Sequence, residues 1–248
     1  MGTGKGLLYA KEYSLTADIA IPIPTLREVL EHYEAYYEIV STIIATPSDL
    51  MVQLDDMGLD FTQIDDYLLF CITLQSLQER QKQQRDVFAL VLGALDLTKL
   101  QPVRLQDGTI QIRDKKGAVV IDKQIHSRLC DTLRTILGAE KNERKPANED
   151  TRRFMIDTER RRQKRALRER KKAKAQNNPL ENIIVSVVNT AEFSYTFETV
   201  LDLSLYQFNV SVKQINNKIR FDNLMIGCYA GTVKTDEMSR DELNWMAV

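Results

Sequence analysis

Residues 102–138 read "PVRLQDGTIQIRDKKGAVVIDKQIHSRLCDTLRTILG", and within them the spacing of the apolar side chains changes. Up to Ile121 the runs are short, alternate apolar with polar, and are parted by Asp107-Gly108 and by a second turn ending at Gly117. Asp-Gly between alternating runs marks a tight hairpin, because glycine enters the left-handed backbone region at no steric cost. The stretch therefore reads as a small antiparallel hairpin or meander, joined by a strand from "DVFALVLG" (86–93). From Asp122 the period lengthens. Ile125, Leu129, Leu133 and Ile136 fall on one face of a helix that Asp122 caps and Gly138 stops.

Upstream the helical period dominates. Thr25 and Glu28 have the spacing of a capping box, in which each side chain accepts from the other's backbone N–H. Leu26, Val29, Leu30, Tyr33, Tyr37, Val40 and Ile44 then mark one helical face, preceded by an extended lead-in. A second helix is expected with Thr46 as cap, Pro47 in its first position and Gly58 as stop. A third begins after Thr62, deeply buried up to Leu74, with a polar end that emerges into solvent.

Downstream, "AEKNERKPANED" (139–150) is a polar linker containing Pro146. Asn148 caps a helix that runs to Gln176, with Phe154, Met155 and Ile156 as anchors, before Asn177-Asn178-Pro179 ends it. About 28 helical residues would span about 40 Å. The C-terminal part is helical again. Leu180, Ile183, Ile184, Val187 and Val188 lie together, and Leu201, Leu205, Phe208, Val212 and Ile215 form a stripe. A short separate helix ends at Gly231, and Ser239 with Glu242 has capping-box spacing ahead of Trp245. The architecture is thus α+β and mainly helical. It divides into an N-terminal helical domain with the hairpin (1–140), a linker and basic helix (141–178), and a C-terminal helical domain (179–248).

A net charge of -1 over 248 residues conceals a sharp contrast. Residues 151–174 hold 12 Lys/Arg against 3 Asp/Glu, whereas 1–150 hold 17 against 23 and 175–248 hold 5 against 9. A basic arm separates two mildly acidic bodies. Its cations are Arg160, Arg161, Arg162, Lys164, Arg165, Arg168, Arg170, Lys171, Lys172 and Lys174. Three readings follow: sequence-independent contact with nucleic-acid phosphates, docking on an acidic protein surface of a partner or of this chain, or a self-repelling spacer. Aromatic residues for base stacking are missing from the arm. Fewer than two leucine heptads follow Pro179, which disfavours a basic zipper.

No reaction is legible. "GTGKG" (2–6) lacks the preceding strand and the Lys-Ser/Thr ending of a phosphate loop. Asp55, Asp56, Asp60, Asp65 and Asp66 lack calcium-loop spacing and read as helix caps and an acidic rim. His32 and His126 read as partly exposed helical residues without a nucleophile beside them. Cys71, Cys130 and Cys228 sit singly among apolar neighbours, as buried small hydrophobes of a reducing compartment. No catalytic, cofactor or metal residue is assigned, and the chain is expected not to be an enzyme. No apolar run is long enough to span a membrane, and no secretory signal opens the chain, so cytosolic synthesis without export is expected.

The stretches "IPIPTLREVLEHYEAYYEIVSTIIATPSDLMVQLDDMGLDF" (21–61) and "LSLYQFNVSVKQINNKIRFDNLMIGCYAG" (203–231) resemble poorly characterised virion (tail) morphogenesis proteins from phages and prophages of Gram-positive bacteria. The ending "YAGTVKTDEMSRDELNWM" (229–246) fits the same resemblance. It implies a tail assembly chaperone or related accessory protein in the host cytoplasm or on the virion. Other phage structural or tail proteins would then be its partners. Nucleic acid bound through the basic helix is the alternative. The resemblance carries over no functional residue.

Overall fold

The computed structural model describes residues 6–117, 119–172, 178–233 and 244–246. Its fold is α+β and mainly helical, with two small antiparallel sheets among the described residues. The lead-in forms a hairpin of β1 (Glu12–Ser14) and β2 (Ala20–Pro22). The meander is β3 (Leu100–Arg104), β4 (Ile110–Asp114) and β5 (Val120–Ile121), in that spatial order. Ile112 pairs with both Pro102 and Ile121, and its buried side chain joins the core with Leu100 and Ile121.

The Thr25 capping box forms, but the helix it opens is interrupted. α1 (Leu26–Glu31) ends at His32, whose ψ of 28° breaks the backbone before α2 (Tyr33–Ile44). That break shifts the buried face: Tyr36, Ile39, Val40 and Ile43 enter the core, while Tyr33, Tyr37 and Ile44 are only partly covered. Thr46 makes its reciprocal bonds with Asp49, but they close a turn, and α3 (Met51–Asp56) starts later. α4 (Asp66–Gln83) is capped by Asp65, not Thr62, because Asp60 engages the Thr62 hydroxyl in a short 3₁₀ turn. The deep burial expected up to Leu74 is found at Tyr67, Leu69, Phe70 and Leu74, but Leu68 and Ile72 are exposed. The polar end of α4 emerges on one side, with Glu79, Lys82 and Gln83 exposed. Gln81 is buried, donating to the Leu95 carbonyl at 3.1 Å and accepting from Leu97 N–H at 2.8 Å.

"DVFALVLG" is a helix, α5 (Arg85–Leu92), not a strand. Val87, Phe88, Val91 and Leu92 bury one helical stripe against α2 and β2, where an alternating strand would have buried every second residue. α6 (Lys123–Leu137) has the expected caps at Asp122 and Gly138. Tyr67 ties α4 to the meander, donating to the Ile121 carbonyl at 2.7 Å and accepting from Ile112 N–H at 3.2 Å.

α7 (Glu149–Lys172) is the basic helix, and Asn148 caps it through Thr151 N–H at 2.8 Å. α8 (Pro179–Val188) buries Leu180, Ile184 and Val187 but leaves Ile183 exposed. The stripe at 205–215 and the segment ending near Gly231 form one helix, α9 (Leu205–Tyr229), rather than two. The capping-box spacing at Ser239 and Glu242 lies outside the described residues.

Residues 24–26 and 203–205 meet at the start of α1. Ser204 and Gln207 form a second capping box, and Thr25 bridges Ser204. Leu26 N–H donates to the Leu203 carbonyl at 2.9 Å and Leu205 N–H to the Pro24 carbonyl at 2.8 Å. Two helix N-termini thereby satisfy amide donors that each would otherwise leave open. One main core consequently contains residues from Leu7 to Phe208. A smaller cluster gathers Ala45, Met51, Val52, Leu54, Phe61, Leu69 and Ile156.

Candidate functional site

The basic arm stands on that smaller cluster. Ile156 is buried there and Met155 is half-buried, whereas Phe154, read as a third anchor, is exposed. Their contact with α3 sets the root of α7. Ile156→Ala is expected to lower stability by about 2–3 kcal/mol, read by urea unfolding, because it opens a cavity in this small cluster.

Charge reinforces the root. Arg160 donates from Nη1 to Asp56 at 2.7 Å and from Nη2 to Asp55 at 3.0 Å. Arg152 grips Glu149 through two 2.8 Å bonds and holds that carboxyl down to about 2, and it approaches Asp60 at 3.8 Å. The acidic cluster thus has specific duties. Asp60 and Asp65 cap, Asp55 and Asp56 receive Arg160, and Asp66 pairs with Lys141 at 2.8 Å.

Beyond Arg160 the helix turns largely to solvent. Residues 161–169 are exposed apart from a half-covered Gln163. Arg162 is neutralised by Glu159 and Arg165 by Glu169. Arg161, Lys164 and Arg168 have no ion-pair partner among the described residues, and they project from about 18 Å of helix past the anchor. The side chains of Arg170, Lys171 and Lys172, and all of Lys174, lie outside the description.

A feature of α6 escaped the sequence reading. His126 is not a partly exposed residue: it is 2% exposed, stacked 4.6 Å from Phe70, with Nε2 3.3 Å from Cys130 Sγ. Burial pushes its imidazole down to about 4 and the Cys130 thiol up to about 12. Both are neutral near pH 7, so this is no thiolate–imidazolium pair. His32 is exposed. A signal was present, since His126, Cys130 and Arg134 recur every four residues beside the apolar stripe.

The depressed His126 makes stability pH-dependent. From about pH 6.5 to about pH 4 the unfolded chain binds a proton that the folded chain refuses, so stability falls on acidification. The slope is about 1.4 kcal/mol per pH unit, or about 3 kcal/mol across the window, and it stops once the folded state also protonates. Urea unfolding along this range should show that excess slope in the wild type and not in His126→Asn.

Residues 171–248 match the family model of the YomV second domain. YomV is a Bacillus phage or prophage protein, so the match relates the last part of this chain to a phage protein. It starts at the final residues of α7 and takes in α8 and α9, a little under a third of the chain. The docked root of the arm therefore precedes the YomV-like segment. No curated protein and no solved structure matches this chain. Among the described residues no helix is long and apolar enough to cross a membrane.

Proposed function

We propose that the chain is a non-enzymatic phage accessory protein that binds other virion proteins, tail components foremost, in the manner of a tail assembly chaperone. The match of residues 171–248 to the YomV second domain supports the phage association, from which the rest of the reading is drawn. The arm supplies a mechanism. Its root is fixed by Ile156 and Arg160, and the exposed Arg161, Lys164 and Arg168 would meet an acidic surface of the partner. Contacts of this kind are weakened by salt, which suits a partner that must be released after assembly. Affinity purification from phage-infected cells should recover a virion protein with the wild type, and less of it with Arg161, Lys164 and Arg168 all changed to Gln. Recovery of no virion component would overturn the proposal.

Those same unpaired cations favour nucleic acid as the second reading. Three phosphate contacts on duplex DNA would give a log-log salt slope of about -3. Fluorescence anisotropy with labelled duplex should show that slope, and the triple Gln variant should abolish it. Binding that persists unchanged in the variant removes the arm from this role.

A further inference from the structure

A cavity of about 810 Å³ lies between the 61–63 turn, the start of α4, the α6 face that carries His126, Cys130 and Arg134, and the strap formed by residues 141–146. The strap is tied down. Lys141 pairs with Asp66 at 2.8 Å, Asn142 donates to Asp49 at 2.8 Å, and Ser48 donates to the Arg144 carbonyl at 2.8 Å. Such a volume suits a small organic molecule.

Its floor is the row His126, Cys130 and Arg134, all buried and all lining the space. Of these three, Arg134 brings the charge. A buried cation is tolerated where a carboxylate or a full set of acceptors meets it. Arg134 has less. Nη2 donates to the Ile44 carbonyl at 2.6 Å, and Nη1 reaches Asp131 at 3.4 Å, a half-exposed carboxylate. Its other N–H groups have no acceptor among the described residues.

The three carboxylates of the cavity pair with lysines of its own lining, Asp65 with Lys123 and Asp66 with Lys141 at 2.8 Å, and Glu143 with Lys141 at 3.5 Å, which leaves Arg134 to other partners. On the strap, Arg144 and Lys145 are exposed and have no ion-pair partner among the described residues. Across the lining, five cationic side chains face three acidic ones. The local balance is positive, in a region of the chain whose overall balance is negative.

We infer that this cavity binds a small organic oxyanion, a carboxylate or a phosphate ester. Its charged end meets Arg134 under the strap cations, and its body rests on Phe61, Ile64 and Tyr67. Guanidinium donors suit both oxyanions through paired N–H···O bonds. The site is independent of the basic arm, so it stands or falls apart from the proposed partner binding.

The two histidines make a direct test, because His126 lines the cavity and His32 is exposed on the break between α1 and α2. The full chain is titrated at fixed pH with inorganic phosphate, and separately with acetate. Histidine ring resonances are followed by NMR against chloride of equal ionic strength. A saturable shift of His126, with His32 unchanged, is expected, and whichever anion binds more tightly identifies the preferred oxyanion. Arg134→Met should abolish the shift. Arg144→Gln with Lys145→Gln, both exposed and outside the core, should weaken binding about tenfold, a loss of about 1.4 kcal/mol. That double variant keeps the test decisive should Arg134→Met not fold. A His126 resonance indifferent to both anions, or shifting equally in the double variant, overturns the inference.

Discussion

Replacing Phe88 by alanine is expected to lower the free energy of unfolding by about 3–5 kcal/mol. Phe88 is fully buried, and α5 packs it between α2 and β2 in the middle of the main core. Its neighbour Ala89 is exposed, which allows a test of conformation separate from burial. Ala89→Pro should cost about 3 kcal/mol or more, because proline removes the amide donor and clashes with the carbonyl four residues earlier. The surface substitution Ala89→Ser should stay within about 0.5 kcal/mol. Urea unfolding followed by circular dichroism measures all three. A Phe88→Ala loss below about 1 kcal/mol would mean that α5 is not the core element described above.

This segment shows where local pattern stops informing. "DVFALVLG" is a short, nearly continuous apolar run, and periodicity alone does not separate a buried strand from a buried helix at that length. The meander beside it was legible because Asp107-Gly108 and Gly117 punctuate alternating runs. So were the caps at Thr25, Asp122 and Asn148, since a cap is a bond between residues three apart. Phase was not. One bent residue, His32, replaced Tyr37 and Ile44 with Tyr36 and Ile43 at the core.

Contacts across long sequence separations were the least legible. The ten candidate cations of the arm look alike in sequence. The fold draws Arg160 onto Asp55 and Asp56, gives Arg162 and Arg165 local carboxylates, and leaves Arg161, Lys164 and Arg168 outward. Likewise, Arg134 reads as an ordinary helical arginine until Ile44 and the 141–146 strap are brought over it. Spacing placed it on a face, but only the return of the chain made that face an interior.

The junction between α5 and β2 carries the other large effect. Gly93 ends α5 with φ 59° and ψ -126°, a combination that L side chains rarely adopt. A Cβ there would lie 2.9 Å from the Ala20 carbonyl oxygen and 3.4 Å from Pro22 Cδ. Both neighbours belong to β2, whose Ile21 is fully buried, so the strand has little freedom to retreat. Backbone strain of about 1–3 kcal/mol and a comparable cost of overpacking combine to about 4 kcal/mol for Gly93→Ala. Gly58 supplies the contrast. Its φ of 73° is also left-handed, but nothing lies within 4 Å of its missing Cβ, so Gly58→Ala should cost only about 1 kcal/mol. Paired urea denaturation of the two variants isolates the contact with β2 from the conformational term. Equal losses would show that α5 and β2 do not approach as closely as the Gly93 geometry requires.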